Sequence, residues 1–596
     1  MVDMASPSQS LSSTSEILQN IVDMSASPSQ SLTSTPEIIP NIEIQKILRN
    51  ENDETSLISK WYAGRSVLVT GATGFVGKVL IEKLLRSCPN INKIYVLIRF
   101  KKGKKPEDRL ADMIQLPLFS EIKKSNLKAF QKLHVINGDL SLPNLNLSDE
   151  DKTEIINNVS IIFHCGANLN IHEQIKLSIT TNAIGTKDLL RLSNYIQQLD
   201  AFVFLSTIFA HDQKSAIIDE KPAAQSKPAV KIAESILSFR EDSVDKFLTE
   251  FLSSDSNVYH YSKRLAEQII IQETNIFPTC IVRCSIVTAS LTEPFPGWID
   301  NEHGPTNIII GTGKGTIRSY RGYYSYTADL VPVDILVNCL ITAGYNIGKE
   351  KCKNVSIFNC TSGNLNRLTW GQFSVYVPNS ARKCPFENIT WFPRSNLRQS
   401  TLLHNFHVRV LHAIPAYVYD LIGVVFGKER SYVKTYSKYR EAVNDFEYYT
   451  THQWNVDNTN LLTLQSTLSQ RDKWTFNFNI LSITWPEYFD NYVKGVRKYV
   501  LKKDDATIPD SKSRLRRMFL LHQCYQLTFV AVFTYLFTHP VVKKVLRQTV
   551  SSAIVWYSKY NVDLPISQLI TNVNYDQQQK PAFSLKIITL DLPIND

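Results

Sequence analysis

The sequence predicts an α/β protein: a doubly wound parallel sheet, then a smaller, mostly helical domain, then a hydrophobic C-terminal segment. Three observations predict it. From about Ser66, short β-branched or aromatic runs (SVLVT, KIYVLIR, HVING, SIIFH, AFVFLS, TCIVRC) alternate with helix-like stretches such as 75–86 and 181–197. Strands joined through helices pair in parallel, with helices on both faces. After about residue 345 the texture changes, and 360–505 is rich in aromatics with helix-like pieces at 415–426 and 431–446. Finally, 518–542 carries no Lys, Arg, Asp or Glu, about the length a bilayer-spanning helix needs. His522, Gln523, Gln526 and His539 interrupt it, so a span or hairpin is weighed against a surface-lying amphipathic helix.

These textures divide the chain into 1–57, 58–345, 346–505 and 506–596. The first part is a tandem duplication, in which ASPSQSLSSTSEILQNI (5–21) returns as ASPSQSLTSTPEIIPNI (26–42). Copies this rich in Ser, Thr and Pro cannot bury a core, so a disordered extension is expected. The first Lys or Arg is Lys46 and no apolar run opens the chain, which argues against a secretion signal.

The chain has 596 residues, 43% hydrophobic and 20% charged, with a net charge of +10. That mild excess suits polyanionic small molecules or an anionic membrane face. It lacks the basic stripe of a nucleic-acid binder, and no nucleic-acid partner is expected. The nine cysteines are odd in number and scattered, with no CxxC. No zinc ribbon or redox pair follows, no metal is expected, and the body of the protein should face the cytosol.

VLVTGATGFVGKVL sets Gly71, Gly74 and Gly77 after a strand and into a helix. The chain must turn sharply there, admit a pyrophosphate and pack helix on strand, a dinucleotide-binding arrangement of Rossmann type. The second strand ends at Arg99, where an acid would bind the ribose 2′-hydroxyl of NAD. A cation suits a 2′-phosphate, so the expected cofactor is NADPH, with Lys101, Lys102, Lys104 and Lys105 as nearby helpers. After the third strand, Asp139 is either a hydrogen-bonding group for the adenine or part of a simple turn.

The GxxGxxG spacing is that of short-chain dehydrogenase/reductases, whose Tyr-xxx-Lys is present as Tyr259 to Lys263. On a helix, i and i+4 share a face, so both can point at a nicotinamide. An ammonium beside the phenol would bring its pKa down toward working range. The fifth strand ends in Ser206 and Thr207, either of which could polarise a substrate carbonyl, with Thr207 preferred.

Several blocks resemble the animal fatty acyl-CoA reductases, which are extended short-chain dehydrogenase/reductases. They are TGATGFVGKVLIEKLLRSCPNINKIYVLIRFKKGK, IVRCSIVTASLTEPFPGWIDNEHGPT, GTGKG with DLVPVDILVN, HAIPAYVYDLIGVVFGKE, and WPEYFDNYVKGVRKYVLKKD. They run in order over about residues 58–505. The resemblance implies NADPH-dependent reduction of a long-chain fatty acyl-CoA to a primary fatty alcohol through an aldehyde, with release of CoA. It implies a membrane-held, cytosol-facing enzyme of peroxisome or endoplasmic reticulum, and leaves a homodimer open. Gly71, Thr73, Gly74, Phe75, Val76 and Gly77 would line the pyrophosphate, Arg99 the 2′-phosphate and Asp139 the adenine. Tyr259 and Lys263 would be the acid and its tuner, Arg283 and Ser285 would meet the nicotinamide region or substrate, and 294–301 would border the acyl pocket. The chain departs from the family in Phe209, where a tyrosine is usual, in HCGANLN (164–170), which lacks an arginine, and in Cys284, where proline is usual. Two alternatives remain: a reductase of sterols or nucleotide sugars, and a catalytically silent acyl-CoA-binding homologue.

Overall fold

Each of the six apolar runs forms a strand in the computed structural model: β1 (Val67–Thr70), β2 (Ile94–Ile98), β3 (Leu133–Asn137), β4 (Ile161–His164), β5 (Ala201–Thr207) and β6 (Thr279–Cys284). A seventh, β7 (Ser356–Cys360), completes a sheet of order β7-β6-β5-β4-β1-β2-β3, parallel throughout. The structure describes residues 56–211, 217–222, 228–240, 257–274, 276–427 and 432–540, with a few isolated positions up to 552. The tandem repeat lies outside the described residues.

Strands β1, β2, β4 and β6 are buried along their whole length. Buried on both faces, they read as unbroken apolar runs rather than alternating ones. Helix α1 (Phe75–Ser87) crosses from β1 to β2, and α2 (Pro106–Ile114) leads from β2 toward β3. On the opposite face lie α3 (Gly185–Ser193) and α4 (Val258–Glu273), and α5 (Val333–Glu350) packs beside α1. The strand order reverses between β1 and β4, which opens a crevice beyond their carboxyl ends.

The sheet takes its last strand, β7, from beyond residue 345. The helical part does not separate, because residues from Ser56 onward cluster as one unit. Its principal helices are α6 (Ile414–Val425), α7 (Tyr432–Thr451) and α8 (Trp485–Gly495). The 294–301 loop joins the two parts: Phe295 and Trp298 pack against Tyr499 at ring separations of 5.4 and 5.0 Å, and Lys78 of α1 pairs with Asp300. Asp334, at the start of α5, accepts backbone N–H groups of Leu291, Thr292 and Glu293 at 2.8, 2.8 and 2.9 Å and fixes the start of that loop.

The C-terminal segment forms α9 (Ile508–Thr538), 31 residues long. The expected membrane-spanning helix is not found: among the described residues, no helix is long and apolar enough to cross a membrane. Lys512, Arg514, Arg516 and Arg517 occupy the first turns of α9, and its apolar stretch carries the polar interruptions already noted.

Candidate active site

The glycine turn has the geometry its sequence requires. Gly71 adopts φ +68°, and a Cβ there would lie 2.7 Å from Gly166 Cα, so the turn after β1 is pressed against the segment after β4. A Cβ on Gly77 would meet the Gly71 carbonyl oxygen at 2.3 Å, which is how α1 starts directly on the turn. Thr73 and Gly74 lead into α1, which opens with Phe75 and Val76, and all four keep some exposure. Gly74 caps that helix without a side chain, leaving N–H groups of the first turn directed into the crevice, a cradle for a pyrophosphate.

At the tip of β2, Arg99 pairs with Asp139 at 3.2 Å. Burial would raise the Asp139 carboxyl, but the Ser141 N–H and hydroxyl, and then Arg99, outweigh it and hold it low. The sequence reading missed Arg109, on the first turns of α2. Its guanidinium donates to the Arg99 carbonyl at 2.6 Å and to the Thr73 hydroxyl at 2.8 Å. It thus joins the glycine turn to the end of β2. Burial and the Arg99 charge both lower its pKa, as expected of cations gathered where an anion would relieve them. The sequence signal was slight, one arginine in a charged helix with no visible partner.

Tyr259 and Lys263 stand one turn apart at the start of α4, as predicted. Lys263 is buried, donates to the Leu205 carbonyl at 2.6 Å and lies 3.9 Å from the Phe204 ring centroid. Burial lowers its pKa to about 8. The expected lowering of the phenol is not seen. Burial raises Tyr259, and Cys284 and Tyr449 add to the rise. The ammonium is spent on a strand carbonyl and is itself desolvated, so Tyr259 is held in the neutral, proton-donating form.

The two candidate hydroxyls separate by the pleat of β5. Ser206 pairs in register with Arg283 and Thr207 with Cys284, and register partners share a face. Arg283 is held by Glu267 of α4, so Ser206 shares the face of the sheet turned to α4, while Thr207 ends the strand on the face of Cys284. Its Oγ1 accepts the Phe209 N–H at 3.4 Å. The Ser206 hydroxyl is buried and without a hydrogen-bond partner.

Arg283 is a correction. Expected near the nicotinamide, it is fully buried and its guanidinium is held by Glu267 of α4 at 2.9–3.1 Å and by the Asp219 carbonyl at 2.9 Å. Burial alone would raise Glu267, but Arg283 and then His211 hold its carboxyl low. Arg283 braces α4 against β6.

Sequence reasoning also missed Asn182. Its amide donates to the Ser262 hydroxyl at 2.8 Å and to the Asn168 carbonyl at 3.0 Å, while its oxygen accepts the Asn168 N–H at 2.7 Å. It sits in a π-helical turn, Thr180–Ile184, a distortion that often marks functional sites. It ties the segment after β4 to the residue preceding Lys263. His164, in the same departed stretch, is buried between the hydroxyls of Thr70 (2.6 Å) and Thr186 (2.9 Å), and burial takes its pKa to about 3. Phe209 stacks on His260 at 5.6 Å and meets Tyr449 and Trp454 edge-on at 4.8 Å each. Here an apolar ring fills the place of the usual tyrosine, and the cluster brings α7 over Tyr259.

This arrangement can hold a dinucleotide by its backbone and offer a neutral phenol, an ammonium and a hydroxyl to a carbonyl oxygen. Two models described as Male sterility protein match the chain, one over residues 69–340 and the other over 411–503. The chain is 37% identical over 462 residues to Fatty acyl-CoA reductase 1 of Xenopus laevis, covering 77% of this chain and 89% of that protein. It is 36% identical to Fatty acyl-CoA reductase 1 of Homo sapiens with the same coverage, and 35% identical to Fatty acyl-CoA reductase 2 of Mus musculus, covering 79% and 91%. With its glycine cradle, its Tyr-xxx-Lys helix and this likeness along most of its length, the chain belongs to the fatty acyl-CoA reductase family.

Proposed function

We propose that the protein reduces long-chain fatty acyl-CoA to the primary fatty alcohol with NADPH, releasing CoA. The observation that carries the reading is the pair Tyr259–Lys263, one turn apart at the start of α4, in a chain similar to reductases of that name over most of its length. Bound NADPH supplies the hydride, one equivalent for each of two reductions. Thr207 donates a hydrogen bond to the substrate carbonyl oxygen. Tyr259 gives that oxygen its proton as the hydride arrives, and the resulting hemithioacetal collapses to aldehyde and CoA thiol. The same groups then serve the aldehyde, so one site performs both steps. Lys263, charged below about pH 8, orients the ribose and the phenol. Gly71–Gly77 hold the pyrophosphate, and Asp139, freed by a phosphate competing for Arg99, meets the adenine edge.

The preference for NADPH rests on Arg99 and Arg109. Together they border Thr73, at the edge of the pyrophosphate cradle, where a 2′-phosphate would lie. The exposed apolar positions of α9 and its cationic first turns support attachment to the cytosolic face of a peroxisome or endoplasmic reticulum membrane. Gas chromatography of products after incubation with NADPH and a ladder of acyl-CoAs tests the reading. Fatty alcohol is expected. Turnover of nucleotide sugars or sterols in place of acyl-CoA, or no NADPH oxidation with any acyl-CoA, would overturn it.

A further inference from the structure

A surface helix of a water-soluble body turns its apolar stripe inward. One helical run in this protein does the reverse. Three consecutive elements, Thr401–His407, the π-turn Val408–Ala413 and α6, continue into one another. Their inward side is polar. His404 meets the Ser319 hydroxyl at 3.0 Å, His412 accepts the Arg318 N–H at 3.0 Å, and the buried Asp420 carboxylate accepts the N–H groups of Tyr432 and Val433 at 2.9 Å each. Their outward side is apolar, stepping along Leu402, Phe406, Val410, Ile414, Tyr417 and Leu421, which are 83%, 59%, 37%, 56%, 61% and 67% exposed. A continuous exposed apolar stripe of this kind marks a protein- or membrane-contact surface.

The charges say what covers it. Over 401–427 the only carboxylate is Asp420, which is buried, and the only exposed Lys or Arg is Arg409. The face is thus apolar, with no exposed carboxylate and one exposed cation, Arg409. It is also continuous with a second surface of the same kind. His412 touches Arg318, whose guanidinium lies 4.7 Å from the Trp391 ring, and Trp391 donates to His522 of α9 at 3.2 Å. Beyond that junction α9 continues with exposed Leu527 and Val530, and its N-terminal turns carry exposed Lys512, Arg516 and Arg517. Two apolar helices that meet at a platform edged with cations fit an extended anionic plane better than a compact partner. The polar inner face forbids spanning, so the run would lie in the headgroup region.

We propose that the outer face of 401–426 is an interfacial membrane-contact surface that binds anionic phospholipid bilayers, in addition to any attachment through the C-terminal segment. The inference is independent of the reductase reading, because its test needs no acyl-CoA. Full-length protein is mixed with phosphatidylcholine vesicles with and without phosphatidylserine, and bound protein is measured by flotation. The substitutions Val418→Glu, Leu421→Glu and Val425→Glu are combined at positions 46%, 67% and 75% exposed. Partitioning onto the anionic vesicles should fall about tenfold or more, with the melting midpoint and NADPH affinity unchanged. Hydrogen exchange on the unaltered chain should show 401–426 protected when vesicles are added. Unchanged partitioning of the triple variant, or no protection of 401–426 in the unaltered chain, would overturn the proposal. So would a dimer that becomes monomeric in the variant at unchanged vesicle binding, which would assign the face to a second copy of the chain.

Discussion

Removing Arg109 should change which nicotinamide cofactor the protein prefers. In the structure the Arg109 guanidinium is fixed by the Arg99 carbonyl and the Thr73 hydroxyl, and burial and Arg99 both lower its pKa. A 2′-phosphate set between the two guanidinia would accept charge-assisted hydrogen bonds from each. Such a bond contributes about 1.5–3 kcal/mol when protected from water. The Arg99 side chain is 46% exposed, so solvent screening reduces the figure to about 1–2 kcal/mol per arginine. That corresponds to about a 5- to 30-fold rise in the Kd of NADPH for Arg109→Ala or Arg99→Ala. NADH has no phosphate to lose, and its Kd should move by no more than about twofold. Fluorescence titration with both cofactors reads the difference directly. Equal weakening of NADPH and NADH, or of neither, would refute the placement of the phosphate.

Three further outcomes follow from the site. Thr207→Val should lower kcat about 100-fold, the usual effect of removing one carbonyl-stabilising donor. Ser206→Ala, whose hydroxyl has no partner, should leave kcat and the melting midpoint nearly unchanged, and the reverse pattern in steady-state assays would exchange the two roles. The ammonium of Lys263 is present below about pH 8 and lost as pH rises through it, so kcat should fall above that pH, and Lys263→Arg should move the falling limb to higher pH. Glu267→Gln leaves the Arg283 guanidinium buried without its carboxylate and should cost about 3–5 kcal/mol in denaturant unfolding. A fall in NADPH affinity with stability unchanged would instead return Arg283 to the crevice.

The sheet was largely legible in the sequence because strands buried on both faces leave continuous β-branched runs between helix-like stretches. β7 escaped because VSIFNC is short and lies past the change in texture, where nothing local marks it as a partner of β6. The helices at 415–426 and 431–446 were found close to their true limits, Ile414–Val425 and Tyr432–Thr451. The site was legible where chemistry repeats at fixed spacing, as in Gly71–Gly77 and Tyr259–Lys263. It was illegible where it depends on partners distant in sequence. Arg283 looked available until Glu267 appeared across from it, and Arg109 looked like solvent charge until Thr73 stood beside it. Asn182 gave no signal because its partners, Asn168 and Ser262, come from separate segments. The direction of the Tyr259 shift was missed because spacing shows that an ammonium is near but not that a strand carbonyl has already claimed it.

The central claim is that the Tyr259 phenol protonates the substrate oxygen as hydride is delivered. Tyr259→Phe keeps the ring and removes the acid, so it should lower acyl-CoA-dependent NADPH oxidation by about 10²- to 10⁴-fold while leaving the Kd of NADPH as it is in the unaltered chain. Turnover within about threefold of the unaltered chain, well short of the loss of an essential proton donor, would contradict the account.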